Sequence, residues 1–526
     1  MAAQIRVIDL FAGPGGLGEG FSAYQDENGD FPFQIVASVE KEKSAHDTLT
    51  LRAFFRQFRG GEVPQAYYDY IQAGGTEDLE VAFNEYTDLL DAAKRETLHG
   101  PKALGSSDHK AIFDAIKESI KGFQGQKIVI GGPPCQAYSL AGRVRNKGNK
   151  EYIPELDNRH FLYQEYLKVL DLVEPEIFVM ENVKGILTAK VNGGSIFETI
   201  LSDLHCPSRT LNKKPKAKYD IYPFAVPASD DMYITGYRGK GPDFIIRTEE
   251  FGIPQTRHRV ILLGIKKNLG IEFDKNKSLL EEAKRANEVT VSQVISDLPK
   301  LRSGITKVPN TTENWLNNYR KSLKIVKKHL PSEYNLLAKE IENPLSIIHT
   351  LTQGDFFIEQ KKPRKSQLPK ELKKWYLDKR MKGVANHSSR SHMASDIQRY
   401  LFASAYAQLN NGQSPRAKDY PETLFPDHKN WESGHFVDRF KVQAGNRAGK
   451  TVTSHISKDG HYFIHYDPIQ CRSLTVREAA RIQTFPDNYF FKGNRTEQFV
   501  QVGNAVPPLL ANKLAKVVWD LLLSRT

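Results

Sequence analysis

The sequence predicts an α/β fold, a doubly wound parallel sheet joined to a second, smaller and irregular α+β domain. Two observations carry this prediction. Short apolar strands alternate with helical stretches in the first half of the chain, which is typical of a sheet with helices on both faces. Residues 271–460 lack this alternation and hold 33 Lys and Arg against 21 Asp and Glu, an excess equal to the net charge of +12 of the whole 526-residue chain.

The predicted elements follow the chain in order. The strands are IRVIDLF from residue 5, QIVASVE from 34, KIVIGG from 127, EIFVMENV from 176 and RVILLGI from 259. Residues 41–126 are predicted to form an enlarged helical insertion. SLTVREAARIQTF, from residue 473, has the pattern of a helix with a Ser or Thr cap, and LLANKLAKVVWDLLL, from 509, is predicted to be the last helix.

The composition excludes several classes of protein. No run of 18 apolar residues is present, so we expect no membrane span. MAAQIRVIDLFAG leads directly into a predicted strand, without the pattern of a secretory signal. The three cysteines form neither a disulfide framework nor a CxxC metal spacing. We therefore expect a cytoplasmic protein that needs no metal, with Cys206 and Cys471 as ordinary buried residues.

A glycine-rich turn follows the first predicted strand. Gly13, Gly15 and Gly18 fit the pattern GxGxxG, and Glu40 ends the next strand. Glycines allow close approach of the backbone to a ligand, and such an acid can accept hydrogen bonds from a ribose. The pattern indicates a nucleoside-containing cofactor, either a nicotinamide dinucleotide or S-adenosylmethionine, and it also fits a tight turn that binds nothing.

Cys135 lies where a catalytic residue is expected. It follows a predicted buried strand, at the sheet edge where ligands bind in α/β proteins. The position alone fits a nucleophile and a buried structural thiol equally well. Glu181, at the end of the next strand, could protonate an electron-poor ring that a thiolate attacks, or it could be a salt-bridged strand terminus.

Three polar residues alternate along the last predicted strand. Gln255, Arg257 and Arg259 would share one strand face. Two adjacent arginines repel each other unless an anion or a carbonyl lies between them. The alternative is a pair of surface arginines on an edge strand.

The ordered motifs of the chain resemble those of the DNA (cytosine-5)-methyltransferase family, in its bacterial single-chain form. The matching segments are IDLFAGPGGLGEGF, Glu40, GGPPCQAYS, DNRHFLYQEYLKVL with Arg159 and Leu162, MENVKG, QTRHR, RSLTVREAARIQTFPDNY and QFVQVGNAVPPLLA. The resemblance implies a Rossmann-like, S-adenosylmethionine-dependent catalytic domain over residues 1–265 and 472–526. Residues 266–471 fall where the family inserts its target-recognition domain.

The resemblance also implies a site for methylation of a flipped cytosine in duplex DNA. Cys135 would attack C6, Glu181 would act at N3 and N4, Arg259 would contact O2, and Arg257 would help to hold the cysteine loop. The residues implied to bind S-adenosylmethionine are Phe11, Gly13, Gly15, Gly16, Leu17, Glu40, Pro134, Leu162 and Asn504. The residues expected to bind DNA are Ser139, Arg143, Lys361, Lys362, Arg364 and Lys365.

The sequence leaves three features open. The motif that contacts the adenine is missing, and Asp108 is a candidate substitute. The basic run of residues 361–380 fits either a phosphate-binding face or a solvated surface. Thr451-Val452-Thr453 resembles a threonine element near the end of many recognition regions.

The resemblance implies a monomer in the bacterial cytoplasm, associated with the nucleoid through double-stranded DNA. A cognate restriction endonuclease or defence-system proteins are the further partners expected. One alternative is a tRNA cytosine-5 methyltransferase, but the roughly 200-residue gap is larger than that branch has. The other is a non-catalytic nucleic-acid-binding relative, which would have no chemical reason to keep all four catalytic residue types.

Overall fold

A central β-sheet organises the computed structural model, which describes residues 4–58, 61–134, 162–191, 193–227, 240–274, 276–329, 350–360, 366–427, 431 and 439–524. The strands, numbered along the chain, are β1 (Ile5–Leu10), β2 (Phe33–Val39), β3 (Lys127–Gly131), β4 (Ile177–Val183), β5 (Lys190–Val191), β6 (Gly194–Ser195), β7 (Tyr219–Tyr222), β8 (Ile245–Arg247), β9 (Gln255–Thr256), β10 (His258–Lys266), β11 (Gly304–Ile305), β12 (Gly354–Glu359), β13 (Gly383–Ser388), β14 (Ser391–His392), β15 (Val442–Gln443), β16 (Gly449–Lys450) and β17 (Ile464–His465). Seven of them form the main sheet, in the order β2-β1-β3-β4-β10-β7, with β8 also paired to β10.

The direction of β10 corrects the predicted all-parallel sheet. Strands β2, β1, β3 and β4 are parallel, but β10 runs antiparallel to both β4 and β7. The chain passes from β4 to β7 through a crossover, and then returns in the opposite direction to fill the space between them. The apolar run of β10 is buried in the sheet interior in either direction, so its sequence does not reveal which one it takes.

Helices cover the sheet on both faces. Numbered along the chain, they are α1 (Gly16–Ser22), α2 (Lys43–Arg56), α3 (Gln65–Gln72), α4 (Leu79–Ala82), α5 (Thr87–Glu96), α6 (His109–Ile120), α7 (Leu162–Val173), α8 (Ile196–His205), α9 (Pro207–Thr210), α10 (Val291–Ile295), α11 (Thr312–His329), α12 (Lys370–Tyr376), α13 (Ala394–Leu409), α14 (Val476–Ile482), α15 (Arg495–Asn504) and α16 (Pro508–Leu523). Helices α2 to α6 occupy the segment 41–126, which is helical as predicted. No helix in the described part of the chain is long and apolar enough to cross a membrane.

The hydrophobic core lies on both sides of the sheet. One cluster joins Val7 to α16 and extends to Val291 and Leu372. A second cluster, on the other side, joins Ile8 to α7 and α8. A third consists entirely of residues between 305 and 471, including Trp315. The segment 266–471 therefore contributes to the core of the sheet and also has a core of its own.

The C-terminal helices complete the sheet layer. Thr475 caps α14 by accepting a hydrogen bond from the Glu478 backbone N–H, as the sequence predicts. Helix α16 packs against α1, where a Cβ at Gly20 would lie 2.3 Å from that of Ala511. The two ends of the chain thus form one unit. Cys206 and Cys471 are both buried and free, as expected.

Candidate active site

The glycine turn between β1 and α1 adopts a conformation that few side chains tolerate. Gly13 and Gly15 have φ values of 58° and 94°, and Phe11 has φ 56°, in the left-handed region that favours glycine. A Cβ at Gly16 would lie 2.2 Å from the Val506 carbonyl oxygen. A Cβ at Gly13 would meet no described atom within 4 Å. The turn is thus packed on one side and open at Gly13.

Glu40 lies directly beside the open side of this turn. Its Oε2 accepts a hydrogen bond from the Gly13 backbone N–H at 2.8 Å, and its Oε1 accepts one from Glu42 at 2.7 Å. Burial raises the pKa of Glu40, while these two backbone hydrogen bonds act in the opposite direction. A carboxylate has about four acceptor positions, so Glu40 keeps acceptor capacity for a ligand hydroxyl.

The loop before α6 lies close to Glu40. The Lys102 backbone N–H donates to the Glu40 carbonyl oxygen at 2.8 Å. A Cβ at Gly105 would lie 3.3 Å from Leu162 Cδ2. The Asp108 carboxylate accepts hydrogen bonds within this loop, from the Ala103 backbone N–H at 2.9 Å and from Ser106 Oγ at 3.2 Å. The structure therefore brings Leu162 and this loop near Glu40, and it gives Asp108 the role of shaping the loop.

Two further predicted cofactor residues differ in their exposure. Leu17 is buried in the hydrophobic core, so its side chain packs inside the protein. Asn504 is exposed at the end of α15. Tyr489, which the sequence did not single out, donates a hydrogen bond from its hydroxyl to the Pro14 carbonyl oxygen. Tyr489 is the last residue of the matching segment RSLTVREAARIQTFPDNY, and the resemblance gave this residue no role of its own.

An acid and an arginine meet where β4 and β10 pair. Glu181 Oε1 lies 3.0 Å from Arg259 Nε, and both side chains are 13% exposed. A Cβ at Gly132 would lie 2.8 Å from Glu181 Oε2. Burial lowers the pKa of Arg259, and the Glu181 charge opposes this effect. The Glu181 carboxylate therefore lies beside Gly132, three residues before Cys135.

Asn182 connects β4 to the same loop. Its Nδ2 donates to the Pro133 carbonyl oxygen at 3.4 Å, and its Oδ1 accepts from the Val183 backbone N–H at 2.8 Å. The half-buried Pro134 is the last described residue before the loop. Among the residues implied by the resemblance, Cys135, Ser139, Arg143, Arg159, Lys361, Lys362, Arg364 and Lys365 lie outside the described residues.

Gln255 and Arg257 point to the C-terminal part of the chain and not to Glu181. Gln255 Nε2 donates to the Gln483 side-chain oxygen at 2.6 Å. Arg257 donates to the carbonyl oxygens of Val452 at 2.7 Å and Gly503 at 3.2 Å. Burial lowers the pKa of Arg257 well below its usual value, and the Arg259 charge adds to this effect. The prediction that these residues share one face of a single strand is wrong, because the strand is interrupted at Arg257, between β9 and β10.

Carbonyl groups stabilise Arg257, and the Glu181 carboxylate stabilises Arg259, in agreement with the expectation that a carbonyl or an anion offsets the repulsion of the two arginines. The Val452 carbonyl belongs to the segment that the sequence assigns to the recognition region, whereas Gly503 belongs to the C-terminal part of the catalytic domain. Strand β16 pairs with β9, with Gly449 opposite Gln255 and Lys450 opposite Thr256. Thr451 Oγ1 also donates to the Thr256 carbonyl oxygen at 2.7 Å. The threonine element Thr451–Thr453 is therefore joined directly to the arginine motif.

The fold and this site define an α/β methyltransferase of the type that binds S-adenosylmethionine. The family model for C-5 cytosine-specific DNA methylase matches residues 104–206 and 232–519, so the chain belongs to the C-5 cytosine-specific DNA methylase family. It is a DNA cytosine-5 methyltransferase that uses S-adenosylmethionine as methyl donor, and its substrate is DNA.

Individual relatives agree with this membership. The chain is 33% identical to the type II methyltransferase M.Bpa9945I of Bacillus paralicheniformis, over 98% of this chain and 99% of that protein. It is 23% identical to the DNA (cytosine-5-)-methyltransferase M.ApeKI of Aeropyrum pernix, over 78% and 85% of the two chains. A crystal structure of a DNA modification methyltransferase encoded within an E. coli prophage aligns with a TM-score of 0.50 at 19% identity, covering 99% of this chain and 100% of the other. This last similarity supports the fold.

Proposed function

We propose that Cys135, Glu181 and Arg259 are the catalytic residues that methylate cytosine in a specific duplex DNA sequence, and that Arg257 is a positioning residue that helps to hold the cysteine loop. The observation that carries the proposal is that Glu181, which pairs with Arg259, lies beside Gly132, three residues before Cys135. Asn182 adds a hydrogen bond to Pro133 in the same segment. This anchoring supports an arrangement in which the cysteine loop begins beside the acid and the arginine.

The roles follow from the chemistry of cytosine. The base must leave the helical stack, because a stacked ring does not expose its faces. The Cys135 thiolate then forms a bond to C6, the electron pair moves towards C5, and Glu181 protonates or hydrogen-bonds N3. Arg259 orients the Glu181 carboxylate and is suited to contact O2. Removal of the C5 proton after methylation lets the Cys135 thiolate leave.

The glycine turn and its surroundings fit S-adenosylmethionine. The supporting observation is the open space at Gly13, beside the half-buried Glu40 carboxylate, which has remaining acceptor capacity. We infer that the turn would hold the cofactor, with Glu40 accepting hydrogen bonds from the ribose. The other residues assigned to it are Phe11, Gly15, Gly16, Leu17, Pro134, Leu162 and Asn504. When bound, the cofactor supplies an electrophilic methyl group.

We further propose that residues 266–471 recognise the DNA sequence, while residues 1–265 and 472–526 carry out catalysis. The separate hydrophobic cluster between residues 305 and 471 supports a structural unit of its own. Phosphate contacts from the basic run 361–380, and from Ser139 and Arg143, would position the duplex. The names of the type II relatives favour a restriction-modification context, with a cognate endonuclease. We propose a monomer, because one enzyme acting on one flipped base needs no second copy.

The test is bisulfite sequencing of a methylation-free plasmid library expressed with the wild-type protein and with Cys135→Ser. We expect protected cytosines in one short motif for the wild-type protein and none for the variant. A Cys206→Ser variant serves as the matched control, because Cys206 is a buried cysteine between α8 and α9 with no assigned role in the site, and it should keep the pattern. Protection that survives in Cys135→Ser would refute the assigned nucleophile.

A further inference from the structure

A buried ion pair lies next to the glycine turn. Arg52, on α2, donates from Nε and Nη2 to the two carboxylate oxygens of Glu19, at 2.9 and 2.5 Å. The side chains are 5% and 3% exposed. Burial disfavours the charged form of Arg52, but the Glu19 charge raises its pKa above the usual value. Since Glu19 belongs to α1, Arg52 fixes the helix that begins at the end of the turn.

The same guanidinium also supports a side chain that touches the turn. It lies over the Tyr489 ring at 4.8 Å and over the Phe55 ring at 3.8 Å. The Tyr489 hydroxyl donates to the Pro14 carbonyl oxygen. Leu49, one helical turn before Arg52, would lie 2.7 Å from a Cβ at Gly15. Helix α2 therefore reaches the turn directly through Leu49 and indirectly through Arg52.

A third contact of Arg52 connects it, through Asn488, to Asp378 in the basic run of residues 361–380. Its Nη1 donates to Asn488 Oδ1 at 3.1 Å, and Asn488 Nδ2 donates to Asp378 Oδ2 at 2.8 Å. The Tyr68 hydroxyl donates to the same Asp378 oxygen at 2.8 Å. The guanidinium thus makes hydrogen bonds in two directions, which a lysine ammonium at the same place could not reproduce with the same planar geometry.

We propose that Arg52 is a positioning residue for the cofactor. Arg52 holds α1 through Glu19, and it holds the Tyr489 ring, whose hydroxyl bonds to Pro14. These contacts set the shape of the turn from Gly13 to Gly16, and hence the affinity for S-adenosylmethionine. The inference rests on the proposed assignment of this turn as the cofactor site. Arg52 itself touches neither the reacting atoms nor, on this assignment, the methyl donor.

The experiment is calorimetric titration of the full-length protein with S-adenosylhomocysteine, in the absence of DNA. We expect Arg52→Lys to weaken binding about tenfold, because the paired hydrogen bonds to Glu19 are lost. Tyr489→Phe should weaken it about fivefold, because only the hydrogen bond to Pro14 is removed. In turnover assays, the KM for S-adenosylmethionine should rise by similar factors, with kcat and the KM for DNA unchanged.

Arg95→Lys is the matched control, because Arg95 is an exposed arginine on α5 of the same segment. It should bind S-adenosylhomocysteine like the wild-type protein. Unchanged affinity in both Arg52→Lys and Tyr489→Phe would overturn the proposal. A second outcome would also overturn it. In that case Arg52→Lys would bind S-adenosylhomocysteine weakly and also show a large fall in melting temperature, while Tyr489→Phe would bind normally.

A Glu40→Ala variant separates this inference from the assignment of the site. If Glu40→Ala binds S-adenosylhomocysteine weakly while both other variants bind normally, the turn is the cofactor site and the role of Arg52 is wrong. If Glu40→Ala binds like the wild-type protein, the assigned site is wrong and the inference fails with it.

Discussion

At the residue scale, Asp9 has the most unusual environment near the glycine turn. It lies at the end of β1 and is 1% exposed. Burial raises the pKa of Asp9 to about 8, although the Arg56 charge and the Gly18 backbone N–H act in the opposite direction. A Cβ at Gly18 would lie 2.8 Å from Asp9 Oδ2. The carboxyl group is therefore mostly protonated at neutral pH, directly beneath α1.

This protonation makes stability depend on pH. The folded protein holds the Asp9 proton up to about pH 8, whereas an unfolded chain releases it near pH 4. The free energy of unfolding should therefore fall between these values, by at most about 1.4 kcal/mol per pH unit from this group. Asp9→Asn should flatten the fall, which urea unfolding at pH 6, 7 and 8 measures. Equal slopes for both proteins would contradict the prediction.

At the scale of elements, the short helix α1 is held by its close approach to α16. A Cβ at Gly20 would lie 2.4 Å from the Pro508 carbonyl oxygen as well as against Ala511. Such distances are far below van der Waals contact, so the two backbones can approach only because Gly20 has no side chain. The position of the glycine turn thus depends on the C-terminal helix.

Gly20→Ala should force these helices apart. We expect a loss of about 1–3 kcal/mol in the free energy of unfolding, as for other overpacked sites. Chemical denaturation measures it. Gly61→Ala is the control, because a Cβ there would lie 3.8 Å from its nearest neighbour, the Phe58 carbonyl oxygen. A Gly20→Ala protein as stable as the control would show that the helices can separate without cost.

Local patterns in the sequence predicted some of these elements and missed others. Apolar runs and caps located β1 to β4, the helical segment 41–126, α14 and α16, because these signals are local. The direction of β10 was missed, since a strand buried on both faces has the same composition in either direction. The bonds from Arg257 to Val452 and Gly503 join residues almost 200 positions or more apart. No local pattern encodes them, and the same is true of the contact between Arg52 and Asn488.

At the scale of the whole molecule, charge is unevenly distributed. The segment 41–126 holds 14 Asp and Glu against 11 Lys and Arg, while residues 271–460 carry the net positive charge of the chain. In α12, Leu372 and Tyr376 are buried, whereas Lys370, Lys373 and Lys374 are exposed. The buried side chains fix this helix to the core and leave its lysines facing water, where they could contact phosphates.

Replacing these three lysines with glutamine should therefore weaken DNA binding in a salt-dependent way. Each lost phosphate contact lowers the slope of log K against log salt by about 0.9, so we expect a reduction of about one to three. Fluorescence anisotropy titrations between about 50 and 200 mM salt measure this slope.

The matched control is a triple replacement with glutamine at Lys110 and Lys117 on α6 and at Lys121 directly after it, all of which are also exposed. These lysines lie in the acidic segment, so their loss should leave the slope unchanged. If both triple variants give the wild-type slope, α12 is a solvated surface.

The pairing of β9 with β16 limits how this enzyme could be re-engineered. Gly449 and Lys450 are laid against Gln255 and Thr256, and Val452 accepts a hydrogen bond from Arg257. A chimera that replaced residues 266–471 as one block with those of a relative would remove these contacts together with the specificity. An exchange that alters the target sequence while keeping turnover should instead place its second junction before Gly449, and should keep the native residues from 449 onwards.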